Sequence, residues 1–122
     1  MRIAAVSLVA ASVLAPAALA APKQDWDDCT SSDADVSIAG CGRSIALGDE
    51  SKANTAIAYM DRGIAHQNKG EHQGAIADFN RSLKLNPNDP AVYPSRGYSF
   101  AQTEEYDLAI DDYNQTIALK SG

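Results

Sequence analysis

Basic residues, cysteine and strand-like patterning are all scarce in this chain, and each scarcity excludes a class of function. Ten Lys and Arg stand against sixteen Asp and Glu across 122 residues, a formal net charge of −6. A chain this acidic has no basic face for the phosphates of nucleic acid, and none for an anionic membrane surface. There are two cysteines, Cys29 and Cys41, and no C-x-x-C or C-x-x-C-H, so redox-dithiol, haem-attachment and four-ligand zinc sites are absent from the pattern. The two histidines, His66 and His72, flank Gly70 and do not share a helix face at a metal-ligand spacing of four. No serine or cysteine sits in a nucleophile motif. The acidic pairs Glu104-Glu105 and Asp111-Asp112 are sequence neighbours that point to different faces of a helix and read as solvated surface. No apolar–polar alternation of useful length occurs, which excludes a sheet protein. The reading is non-enzymatic, without metal or cofactor.

The one long apolar run lies at the start. Met1-Arg2 gives a short positive lead, Ile3 to Leu19 is rich in Ala, Val and Leu, and Ala18-Leu19-Ala20 fits the small-x-small cleavage rule. Residues 1–20 therefore read as a cleavable signal peptide. Pro16 and the short run argue against a membrane span of ~20 residues. Export implies a periplasmic or secreted protein with no membrane insertion after cleavage. Loss of Arg2 makes the mature chain one unit more acidic. In that oxidising setting Cys29 and Cys41 are expected to form one disulfide. About 100 residues remain, enough for one small core.

From Tyr59 onward the sequence repeats itself. Tyr59, Arg62, Gly63, Glu71, Ala75, Ile76, Asp78, Asn80 and Leu85 recur thirty-four residues later as Tyr93, Arg96, Gly97, Glu105, Ala109, Ile110, Asp112, Asn114 and Leu119. Phe79/Tyr113 and Leu83/Ile117 are substituted but stay apolar. A period of this length marks a helical hairpin that cannot bury its apolar face alone and must stack. The turn signals agree. Gly70 suits a left-handed helix terminus, Asn86-Pro87-Asn88-Asp89-Pro90 stops one unit, and Asp89-Pro90 can start the next. Helices are expected after a cap at Asn54 or Thr55 to about Lys69, from about His72 to Leu85, from Ala91 to about Thr103, and from Tyr106 to Leu119. Gly63 and Gly97 are small where the two helices of a unit must approach closely. Tyr59, Phe79 and Leu83, with Tyr93, Tyr113 and Ile117, are expected to fill the space between units.

Ahead of the repeats, Asp33 to Leu47 has one further helical pattern. Ser32 and Asp35 resemble a capping box, and Gly48 suits a helix stop. Pro22 to Ser32 reads as an irregular acidic lead-in, tied down by the disulfide and by Trp26. The expected organisation is a signal peptide at 1–20, a lead-in with a single helix at 21–55, and repeat units at 56–89 and 90–122.

These motifs resemble the tetratricopeptide repeat. The resemblance rests on Tyr59, Arg62-Gly63, Gly70, Ala75-Ile76, Phe79, Leu83, Leu85 and Pro87-Asn88-Asp89, and on their second copy from Tyr93 to Leu119. It covers Ala56 to Gly122. Ser37-Ile38, Cys41 and Ser44-Ile45 resemble the second helix of a preceding unit, with Cys41 at the place of Phe79. The resemblance implies an all-α solenoid of one disulfide-stapled leading helix plus two repeats, similar to short exported bacterial proteins of this family. Three departures stand out: Ser121 at the place of Pro87, Pro94, expected to start its helix late or bend it, and His66 at the place of Phe100. The resemblance also implies a concave groove that binds a peptide or partner helix. At the matching positions the groove would present Ile57, Met60, Ile64, Gln67 and Asn68, then Ala91, Pro94, Tyr98, Ala101 and Gln102. None is a cation, so a clamp for a terminal carboxylate is not expected. The alternative is a structural homo-oligomer assembled through the last helix, whose Ile110, Tyr113, Ile117 and Leu119 cannot all be covered from one side.

Overall fold

The computed structural model describes residues 22–48 and 50–121; the segment read above as a signal peptide, residues 1–20, lies outside them. Among the described residues six helices follow one another: α1 Lys23–Cys29, α2 Ala34–Leu47, α3 Lys52–Asn68, α4 His72–Leu85, α5 Val92–Gln102 and α6 Tyr106–Ser121. No strand occurs among the described residues. Each helix packs on the next, so the described residues form a stack of three helical hairpins.

Local chemistry sets the boundaries. The Asp33 carboxylate accepts from the Val36 amide and caps α2, one residue beyond the expected Ser32. The Ser51 hydroxyl caps α3 by accepting from Asn54 N, three or four residues ahead of the expected caps Asn54 or Thr55. Gly48 and Gly70 both have positive φ and close helix ends. In the second unit the place of Gly70 is taken by Glu104, the one non-glycine of positive φ among the described residues. Such backbone is less favourable for a side chain than for glycine. Pro94 falls in the first turn of α5, where an amide would have no helical partner. In the repeat frame α5 starts late: it has 11 residues against 17 in α3.

The leading segment differs from the expected irregular lead-in and single helix. Lys23–Cys29 is helical and makes a hairpin with α2. Its polar sequence is held by Lys23–Asp27 and Gln24–Asp28 pairs one turn apart, and by Arg43 of α2, which donates to Asp25 and Asp28 at 2.6 and 2.5 Å. A disulfide joins Cys29 to Cys41, and both cysteines are buried with Ala58 against Trp26 and Ile45. A Cβ on Gly40 would lie 2.5 Å from Asp28 Cβ, so glycine there is what lets α1 sit on α2.

The central core joins the two repeats. Ala75, Phe79 and Leu83 of α4 pack with Val92 of α5, and Met60, Ile64 and Tyr93 close over them. A second cluster unites Ile76, Phe100 and Ala109. Gly63 allows the Phe79 ring to lie where a Cβ would come within 2.7 Å of it. Tyr113 and Ile117, expected to fill space between units, are instead exposed, because no described element packs beyond α6.

Candidate functional site

The curvature of the stack decides which faces a ligand could reach. Among the described residues α1 touches α3 and α3 touches α5, whereas α2, α4 and α6 do not touch one another. The odd-numbered helices therefore form the inner, concave side. Each repeat is held in shape by the same buried pairing. Arg62 of α3 donates Nε and Nη2 to the two oxygens of Asp78 on α4, both at 2.8 Å. Arg96 of α5 does the same to Asp112 on α6, at 2.9 and 2.7 Å. Both carboxylates are buried, so Asp112 corrects its reading as solvated surface: Asp111 faces solvent and Asp112 faces α5. Hydrogen bonding to Asp78 and to Asp112, against the opposing pull of partial burial, holds both guanidinium groups above their ordinary pKa. Arg62 also lies over Tyr59 and Arg96 over Tyr93. This rigid framework positions the inner face.

The residues expected in the groove separate into two groups. Ile57, Asn68, Ala91, Tyr98 and Gln102 are exposed on the odd helices or at their ends. Met60 and Ile64 are half-buried and pack on the Phe79 cluster, and Ala101 packs on the Ile76 cluster. Gln67 is a cross-link between repeats. Its amide donates to Ser95 O and Ser99 Oγ, both at 2.7 Å. Pro94 is half-buried in α5. Tyr98 stands 48% exposed with its edge-on contact to His72 at 5.9 Å, and His72 Nδ1 lies 3.2 Å from Ser99 Oγ. His66 is half-buried, with Nδ1 2.7 Å from Glu71 Oε1. No group of three or more His, Cys, Asp or Glu that could hold a metal occurs among the described residues.

A pocket of about 330 Å³ opens between the turn after α1 and the side of α3. Thr30, Ser31 and Ser32 line it from one side, and Asp61, Ile64 and Asn68 from the other. Ile64 and Asn68 belong to the expected groove, so the pocket is part of that face. Asp61 escaped the sequence reading. Its spacing was the available signal: Ile57, Asp61, Ile64 and Asn68 fall at steps of four, three and four, one stripe of α3. Burial pushes the Asp61 carboxyl above its ordinary pKa, since desolvation penalises the charged form.

Stacked antiparallel hairpins with a thirty-four-residue period define a helical-repeat solenoid. Residues 56–89 match the family model of the tetratricopeptide repeat, and the chain carries that repeat there. It is 28% identical over 88 residues to a lipoprotein NlpI homolog of Haemophilus influenzae, covering 72% of this chain and 28% of that protein. A protein SGT1 homolog of Oryza sativa subsp. japonica is 35% identical over 60 residues, 49% of this chain and 16% of its own length. The small glutamine-rich tetratricopeptide repeat-containing protein 2 of Mycosarcoma maydis is 31% identical over 71 residues, 58% and 19% respectively. The match thus spans less than a third of each of these curated relatives. In fold the chain is similar to the crystal structure of MamA, with a TM-score of 0.65 at 22% identity over 74% of this chain and 50% of that one. The tetratricopeptide-repeat fold suggests a protein–protein interaction module.

Proposed function

We propose that the protein is an exported, non-catalytic adaptor that binds a peptide or a partner helix along the inner face of α1, α3 and α5. The observation that carries this reading is the exposed aromatic and aliphatic surface of that face. Ile57 and Tyr98 are 41% and 48% exposed, and the same helices carry the exposed amides Asn68 and Gln102. An apolar face interrupted by amides suits an extended or helical segment: the side chains supply burial and the amides satisfy its backbone. Export is supported by the apolar run ending in Ala18-Leu19-Ala20, and by the Cys29–Cys41 disulfide, which persists in an oxidising compartment. No described helix is long and apolar enough to cross a membrane. The acidic charge favours a partner of basic or mixed charge over nucleic acid.

The test is affinity capture from native envelope and secreted fractions with the chain from Ala21 onward, beside its Tyr98→Ala variant at matched circular dichroism. A partner held by the parent and lost by the variant supports the groove; equal capture by both contradicts it.

One specific observation favours a second reading, self-association through α6. Tyr106, Ile110, Tyr113 and Ile117 form a single exposed stripe at steps of four, three and four. Light scattering on Ile117→Asp tests it: the mass in solution drops if copies meet there and is unchanged if they do not.

A further inference from the structure

We infer that the pocket between the turn after α1 and α3 receives the cationic end of one lysine or arginine side chain carried by the groove's peptide ligand, with Asp61 as its counter-ion. The inference rests on the groove reading for the peptide and on the pocket itself for the cation.

Every other buried or half-buried carboxylate among the described residues has a partner. Asp25 and Asp28 accept from Arg43, and Asp78 accepts from Arg62 and Arg81. Asp112 accepts from Arg96, Asp89 from the Ala91 amide, and Glu50 from Trp26 and Asn54. Asp61 alone has no hydrogen bond or ion pair within the described residues. Partial burial of an unpaired carboxylate costs free energy that a protein recovers only by protonating it or by bringing a cation to it. Its raised pKa is the same cost seen as proton affinity.

The walls suit a long cationic side chain. Ile64 offers an apolar surface for a methylene stem. The Ser32 hydroxyl and the Asn68 amide carry no intramolecular hydrogen bond among the described residues, so their oxygens are available to an ammonium or guanidinium N–H. The opposing wall is built in advance. The disulfide anchors Cys29, Ser37 Oγ donates to Cys29 O at 2.6 Å, and Thr30 Oγ1 donates to Trp26 O at 3.1 Å. A preformed wall loses little freedom on binding. An anion would meet Asp61 directly, and an apolar side chain would leave its charge desolvated. In the second repeat the place of Asp61 is taken by Ser95, whose hydroxyl donates to Ala91 O and whose carbonyl accepts from Gln67. Among the described residues the site therefore occurs once, and it sets the register of the ligand.

The probes are n-butylammonium and methylguanidinium, stand-ins for the ends of lysine and arginine, with n-butanol as the uncharged control. They are titrated into ¹⁵N-labelled protein and followed by amide chemical shifts. Saturable shifts are expected at residues 30–34 and 61–68 with one or both cations, and binding at least roughly tenfold weaker in Asp61→Asn. Whichever cation binds tighter identifies the side chain. Equal shifts with n-butanol, unchanged cation affinity in Asp61→Asn, or no saturable shift with either cation would overturn the inference. The control alcohol keeps the test decisive even if Asp61→Asn folds poorly. Loss of the cation site together with Tyr98-dependent capture removes the pocket and leaves the groove. Cation binding without Tyr98-dependent capture does the reverse.

Discussion

The same apolar stripe occurs in α4 and α6, and the two copies have opposite fates. In α4, Ile76, Phe79 and Leu83 are 7%, 0% and 7% exposed. In α6 their counterparts Ile110, Tyr113 and Ile117 are 55%, 40% and 63% exposed. The residues are equivalent in type and in helical position; what differs is the neighbour. Helix α5 lies on the first stripe through Val92 and Phe100, and no described element lies on the second. In a stacked repeat, burial is a property of the interface between units more than of the unit. Sequence identity between repeats thus predicts shared geometry within a hairpin, as the twin Arg–Asp pairs show, and says little about energetics across hairpins.

That contrast can be broken by paired substitutions. Phe79→Ala should cost about 3–5 kcal/mol in urea unfolding, through lost burial and a cavity in the central cluster. Tyr113→Ala should cost under about 1 kcal/mol. Equal costs would mean that α6 is covered in solution. Asp78→Ala comes next, at about 3 kcal/mol, because it leaves Arg62 half-buried without its carboxylate. Asp112→Ala should fall close to it, since this pairing lies within each hairpin and does not depend on stacking. Reducing the Cys29–Cys41 bond should cost about 2–4 kcal/mol and should expose the α1 hairpin to proteolysis before the repeats. Gly63→Ala should cost about 1–3 kcal/mol, because its Cβ would meet the enclosed Phe79 ring at 2.7 Å. Gly97→Ala should cost less: its Cβ would stand 3.1 Å from Asp112 Cβ and 3.2 Å from the exposed Tyr113 ring, distances that a shift of a few tenths of an ångström relieves, against 2.7 Å at Gly63.

The smallest effect belongs to Asp61. Its folded pKa is raised, so the folded state holds more protons than the unfolded one between the ordinary and the raised value. Stability from this group is greatest in acid and falls as pH rises through that window. Asp61→Asn should remove this dependence, and its unfolding free energy relative to the parent should shift in its favour from acid to neutral pH.

The repeats were legible because stacking imposes a period, and the period carried α4 and α6 nearly to the residue. Gly63, Gly97 and the left-handed Gly70 were legible for the same reason. Helix α1 was not, because Lys23 to Asp28 has no apolar stripe of its own; it is organised by Arg43 and by the disulfide, both distant in sequence. The groove was legible as positions and not as states. Nothing local distinguishes Gln67, committed to Ser95 and Ser99, from Asn68 one residue on, which faces the pocket. Asp61 was hidden in the same way, since its lack of a partner exists only once the fold is formed.

The central claim is that the partner meets the inner face and not the stripe on α6. Site-specific photo-cross-linking tests it directly, with p-benzoylphenylalanine placed at Tyr98 in one protein and at Ile117 in another, each irradiated in the native envelope fraction. The account predicts a partner adduct from position 98 and none from position 117. An adduct confined to position 117, whether to another protein or to a second copy of the chain, would contradict it.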